Sequence, residues 1–236
     1  MTVTLKAGLL LYPGLTQLDL TGPYQVFATT PGFETHVVWK DRMPVVSDTG
    51  LAITPTTSFA DCPQLDVICV PGGLGQAPMH QDAEVLDFLR AQAAGACLIT
   101  SVCTGALILG AAGLLDGYRA TTHWGFRDLL SAVGAIYAPW RVVHDRNRIT
   151  GGGVTAGIDM ALICVAELLG EDTARSVQLG IEYRPDPPFA AGHPDEAPKE
   201  LAAAVSAFLT PLAAGMGPFA AEILSLTPLL DRYPRQ

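Results

Sequence analysis

One feature constrains this chain more than any other: short apolar runs that stop abruptly at glycine, proline or small residues, each followed by helical spacing. LDVICV at 65–70 stops at Pro71-Gly72-Gly73, and CLITSV at 97–102 stops at Cys103-Thr104-Gly105. Continuous apolar runs of this length suit strands buried on both faces, as in a parallel sheet covered by helices. Residues 2–11 and Phe33–Trp39 (FETHVVW) predict further strands, and 119–122 a short one. Residues 19–28, 82–94, 104–115, 124–133, 155–169 and 171–183 predict helices. Residues 45–58, around Asp48-Thr49-Gly50, predict a hairpin, and 142–150, around Asp145-Arg146-Asn147, two short strands and a turn. The expected fold is an open α/β type with a mostly parallel central sheet. Such sheets place active sites outside the carboxyl ends of their strands. After Arg184 the run PDPPFAAGHPDEAP breaks regular structure, and 199–230 is rich in Ala and Leu, helical, and cut by Pro211, Pro218 and Pro228. This predicts one catalytic domain over 1–185 and a helical extension over 186–236 that is not an independent domain.

Composition removes several classes of function. With 49% hydrophobic and 16% charged residues, the chain can bury far more than it must solvate, which excludes a disordered protein. A net charge of −9 disfavours nucleic acid or an anionic membrane as partner. No segment reaches the roughly 20 apolar residues of a membrane span. The N-terminus runs into a strand pattern without the features of a signal peptide, so a cytoplasmic location is expected. The five cysteines, 62, 69, 97, 103 and 164, are odd in number and irregularly spaced, which argues against a disulfide framework. No CxxC, HExxH or HxH occurs, so no metal site is expected.

Four segments could carry chemistry. In TSVCTGA at 100–106 a strand ends, one reactive residue follows, and small residues open a helix. This is the nucleophile-elbow pattern with Cys103 in place of serine. The helix N-terminus would favour a thiolate there; a cysteine simply packed at a strand end fits the local pattern equally. Gly72 and Gly73, after a buried strand, could turn backbone N–H groups into a site, or form an ordinary loop. Asp19, in QLDLTGP at 17–23, could cap a helix, or act as a general acid/base whose pKa is raised by its apolar neighbours. Gly151-Gly152-Gly153-Val154-Thr155-Ala156 mimics a dinucleotide fingerprint, but no strand is predicted after the helix it opens. Its glycines are expected instead to admit close backbone approach to the Cys103 turn. His123 follows a strand end and reads as a helix cap or interface residue, with a Cys–His pair as the alternative.

At these segments, and at TTSFADCPQLDVICVPGG (56–73), TSVCTGALILGAAGLLDG (100–117), RATTHW (119–124) and TGGGVTAGID (150–159), the sequence resembles the DJ-1/PfpI superfamily, and within it the isocyanide hydratase branch. The resemblance covers residues 3 to about 185. It implies a flavodoxin-like three-layer sandwich of the class I glutamine amidotransferase type, and a homodimer with no metal or organic cofactor. It implies catalysis by Cys103, Asp19 and Thr104, with Gly72, Gly73 and Val154 lining the substrate or oxyanion site and Gly152 and His123 behind them. The small-molecule substrate would be an isocyanide: Cys103 attacks its terminal carbon, Asp19 transfers protons, and water releases an N-substituted formamide from a thioimidate. The proteolytic and chaperone-like branches usually carry His where this chain has Thr104, and often Glu where it has Asp19. Val154 stands where a bulkier β-branched residue is expected. Two other readings stay open: a ligand-sensing domain related to AraC-type regulators, and a cysteine hydrolase or glyoxalase-like enzyme on the same fold. A regulator would need a basic DNA-binding arm, and the roughly fifty residues after Arg184 are not basic.

Overall fold

The computed structural model describes residues 4–214. Its first half runs β1 (Leu5–Leu10), α1 (Gln17–Thr29), β2 (Phe33–Trp39), β3 (Val45–Val46), β4 (Ala52–Ile53), β5 (Thr57–Ser58), β6 (Val67–Val70), α2 (Gln76–Met79) and α3 (Ala83–Ala93). The second half runs β7 (Leu98–Val102), α4 (Gly105–Ala111), β8 (Arg119–Ala120), a 3-10 helix (Trp124–Val133), β9 (Ile136–Tyr137), β10 (Val142–Asp145), β11 (Arg148–Gly151), α5 (Ala156–Leu169), α6 (Glu171–Gly180) and α7 (Lys199–Ala214).

Seven strands form the main sheet in the order β10-β11-β7-β6-β1-β2-β5. Every neighbouring pair is parallel except β10–β11. The chain crosses from β1 through α1 to β2 in one direction, then from β6 through α3 to β7 in the other. Right-handed crossovers therefore put α1 and α3 on opposite faces. Helix α5 packs on α1, and α4 on α3, which completes three layers. All side chains of β6 and β7 are buried, as their unbroken apolar runs require. The direction of crossing reverses between β1 and β6, so the carboxyl ends of these two strands frame the crevice where such sheets bind ligands.

The expected hairpin over 45–58 resolves into the β3–β4 pair and a short strand, β5, on the edge of the main sheet. The helix expected over 104–115 ends early, at Ala111, with Gly113 at φ +76° beyond it. The stretch 124–133 winds as a 3-10 helix. After α5 comes α6 rather than a strand, so the glycine run at 151–153 does not open a dinucleotide-binding unit. Helix α7 packs against the 3-10 helix, with Leu209 against Gly125. The rest of the helical stretch expected to 230 lies outside the described residues. Among the described residues no helix is long and apolar enough to cross a membrane. Nor does any group of three or more His, Cys, Asp and Glu converge to hold a metal.

Candidate active site

Cys103 sits one residue past β7 with φ +55°, a conformation that non-glycine residues rarely adopt. The surrounding backbone holds it there. Its N–H donates to the Gly151 carbonyl at 3.0 Å, and its carbonyl accepts from the Thr122 hydroxyl at 2.8 Å. Gly105 is required two residues on: a Cβ there would lie 2.0 Å from the Val70 carbonyl oxygen. The elbow expected from the sequence is thus a strained turn locked by three neighbouring segments.

Asp19, Gly72 and Thr104 close around it. Asp19 lies in the first turn of α1 and is fully buried; Thr16, not Asp19, occupies the N-cap position. The Gly72 N–H donates to Asp19 Oδ2 at 2.9 Å, a bond that spans the crevice between β1 and β6. The Gly73 N–H donates to Thr104 Oγ1 at 3.0 Å. A Cβ on Gly72 would lie 2.5 Å from Thr104 N and 2.9 Å from Asp19 Oδ2, so only glycine fits between them. Gly72 and Gly73 were expected either to line a substrate or oxyanion site or to form an ordinary loop. Both N–H groups are committed to holding Asp19 and Thr104. Beneath them the buried Tyr12 hydroxyl donates to the Pro71 carbonyl at 3.0 Å and fixes the peptide that ends at Gly72.

The electrostatics of the pair are set by burial. Loss of water pushes Asp19 from 3.8 up to about 7, while the Gly72 amide and the Cys103 thiol, as hydrogen-bond donors, oppose the rise. Asp19 Oδ1 is buried with no well-formed hydrogen bond, so one carboxyl oxygen stands open to a proton. Cys103, only 6% exposed, has its pKa raised well above 9, first by desolvation and then by the Asp19 charge. The Thr104 amide and hydroxyl pull it partway back. These surroundings oppose the thiolate that the helix N-terminus was expected to favour. The helix has only seven residues, and its favourable field is outweighed by burial beside a carboxylate.

The remaining predicted residues lie to one side, along a cleft of about 630 Å³. Val154, Gly152 and His123 line it, and Cys103 does not. His123 Nδ1 accepts from Gly125 N–H at 3.2 Å, so the imidazole caps the 3-10 helix, and its ring stacks on Trp124. Burial lowers its pKa, and no hydrogen bond joins it to Cys103 among the described residues. Gly152 donates to the Arg141 carbonyl; the residue whose backbone meets Cys103 is its neighbour Gly151. Sequence reasoning missed Tyr12 and Thr122, and read Gly105 only as a small residue that clears space for the backbone.

This geometry has known relatives. The DJ-1/PfpI family model matches residues 5–167. Isonitrile hydratase from Pseudomonas putida is 60% identical over 199 residues, 84% of this chain and 87% of that protein. The crystal structure of a THiJ/PfpI family protein from Pseudomonas syringae superposes with a TM-score of 0.88 at 46% identity, covering 93% of this chain and 90% of its own. Drosophila melanogaster DJ-1beta superposes with a TM-score of 0.67 at 25% identity, its whole length matched by 78% of this chain. The parallel sheet, the strained cysteine elbow and the extent of these matches together place the chain in the DJ-1/PfpI family.

Proposed function

We propose that the protein hydrates isocyanides to N-substituted formamides, with Cys103 as nucleophile and Asp19 as the proton-transfer group. The observation that carries this reading is the buried pair itself: the Cys103 thiol beside a fully buried Asp19, whose carboxyl is held by the Gly72 amide at 2.9 Å and raised to about 7 by burial. The likeness to the Pseudomonas putida isonitrile hydratase supports the choice of substrate.

The terminal carbon of an isocyanide, R–N≡C, accepts both a nucleophile and a proton. As sulfur bonds to carbon, the S–H bond breaks, Asp19 takes the proton, and the carbon lone pair receives it. The product is a thioimidate, R–N=CH–S–Cys103. Water then adds to that carbon, passing one proton through Asp19 to nitrogen. The resulting R–NH–CH(OH)–S adduct collapses: the C–S bond breaks and the hydroxyl proton returns to sulfur. One isocyanide and one water give one formamide, and both Asp19 and Cys103 regain their starting states. Thr104, beside the sulfur, favours its charged form, and its hydroxyl is held against the Gly73 peptide. Gly72 and Gly73 hold Asp19 and Thr104 at contact distance. Residues 1–185 form the catalytic unit in this reading, and 186–236 an extension to it. A homodimer belongs to the same reading, supported by the exposed Met43, Val46, Leu51 and Leu74 around the β3–β4 hairpin.

Formamide production from a panel of alkyl and aryl isocyanides tests the proposal. Cys103→Ala should lower kcat by at least about three orders of magnitude. Mass spectrometry of rapidly quenched protein should show an adduct equal in mass to one isocyanide. Full activity in Cys103→Ala would overturn the mechanism.

A further inference from the structure

We infer that the cleft beside the elbow binds the N-substituent of the isocyanide, that it suits an aromatic group, and that the segment Gly192–Glu196 is its outer wall. The inference rests on the hydration reading and goes beyond it by naming the substituent and the part of the chain that selects it.

The cleft is joined to the nucleophile by shared supports. Thr122, on its floor, holds the Cys103 carbonyl. Gly152, also on its floor, follows Gly151, which holds the Cys103 amide. The cleft thus comes within one residue of Cys103, through Thr122. At about 630 Å³ the cleft falls in the range of roughly 300–1,000 Å³ that takes small organic ligands.

Its lining points to an aromatic substituent. Trp124, Tyr137 and Trp140 all face it, and Trp140 is 69% exposed. Indole and phenol rings left accessible in a concave site offer stacking surface without further ordering of the chain. The opposite side is roomy: a Cβ on Gly153 would meet nothing closer than His123 at 4.0 Å, and one on Gly192 nothing within 4 Å. One wall is braced by Arg141, which donates to Asp159 at 2.7 Å and to Thr155 at 3.2 Å.

The outer wall comes from beyond the family match, which ends at residue 167. Between α6 and α7 the chain passes the cleft, and Gly192, His193, Asp195 and Glu196 line it. The turn is closed by the Glu196 and Ala197 amides on the His193 carbonyl, and by a His193–Asp195 contact at 3.4 Å. The common fold thus supplies the chemistry, and the extension shapes the space beside it.

The test compares benzyl isocyanide with methyl isocyanide on the full chain. Trp140→Ala should raise KM for the benzyl substrate about 3- to 10-fold, with kcat within about twofold. Gly192→Phe, which adds bulk where there is room, should lower benzyl kcat/KM at least about tenfold. Both variants should leave methyl isocyanide kcat/KM within about twofold of wild type. If the two substrates fall together, or neither variant moves the benzyl constants, the inference is overturned. A fall in both accompanied by a change in sedimentation would assign Trp140 to a subunit contact and overturn the inference equally. Binding is read separately from turnover by tryptophan fluorescence of Cys103→Ala titrated with N-benzylformamide. Saturable quenching that Trp140→Ala removes supports the cleft even if neither isocyanide is hydrated, in which case the hydration reading alone falls. No quenching in the presence of normal turnover rejects the cleft alone.

Discussion

Two glycine-rich turns flank the elbow, and they use glycine for opposite purposes. At Gly72 and Gly73 the space a side chain would need is already filled. A Cβ on Gly72 would press on Thr104 and Asp19, and Gly73 adopts φ +138° against Leu15 and Thr16. At Gly151, Gly152 and Gly153 the φ values are not positive, and an added Cβ would make contacts of 3.3–4.0 Å. The first turn is glycine because other backbone must pass there. The second lies against the cleft and leaves room beside it. A run of glycines in a sequence does not say which of these it is; the neighbours decide.

The largest expected effect falls on the acid held by the first turn. Asp19→Asn keeps an oxygen to accept the Gly72 amide but cannot shuttle a proton, so kcat should fall about 10²- to 10⁴-fold. The same change should stabilise the protein. The folded state raises the Asp19 pKa from 3.8 to about 7, so it holds the proton more tightly than the unfolded chain. Wild-type stability therefore declines as pH rises through this window, and the loss is complete above pH 7. Removing the charge should return on the order of 2–4 kcal/mol at pH 8 and little at pH 4, readable by denaturant titration at the two pH values. In the wild type, kcat/KM should rise with pH through about 7 as the carboxylate forms, a limb that Asp19→Asn should lack.

Next in size is Gly72→Ala. Forcing a methyl group between Asp19 and Thr104 should cost about 1–3 kcal/mol of stability and about 10²-fold in kcat/KM, measured by chemical denaturation and formamide release. Tyr12→Phe is milder. It removes the bond that steadies the Pro71–Gly72 peptide, costing about 1 kcal/mol of stability. By loosening the amide that favours the charged carboxyl, it should also move the rising limb of the pH profile upward, an effect that packing loss alone would not produce. The smallest change is expected at the second turn: Gly152→Ala should stay within about threefold of wild type in kcat/KM. Equal damage from Gly72→Ala and Gly152→Ala would erase the distinction between the turns.

The elbow was legible in the sequence because it is local. The apolar run to Val102, the reactive Cys103 and the small residues after it lie within ten positions. The strands of the sheet were legible for the same reason, since an unbroken apolar run reports burial on both faces. What failed to show was everything set by distant chain. The protonation of Cys103 depends on its burial and on Asp19, 84 positions away, two influences that a helix N-terminus read in isolation does not report. The roles of Tyr12 and Thr122 rest on single long-range hydrogen bonds to backbone carbonyls, which no spacing rule encodes. The 3-10 winding of 124–133 was hidden because its apolar spacing also fits an α-helix. Residues 192–196 sit in a proline-rich run with no periodicity, so their place beside the cleft had no local signature.

The raised pKa of Cys103 bears on which molecules the enzyme will ignore. Peroxides and alkylating agents react with thiolates, and the burial and Asp19 charge that raise the Cys103 pKa work against that form. An isocyanide differs because its carbon consumes a nucleophile and a proton in the same addition. Burial beside Asp19 thus favours a reactant that takes nucleophile and proton together over general electrophiles.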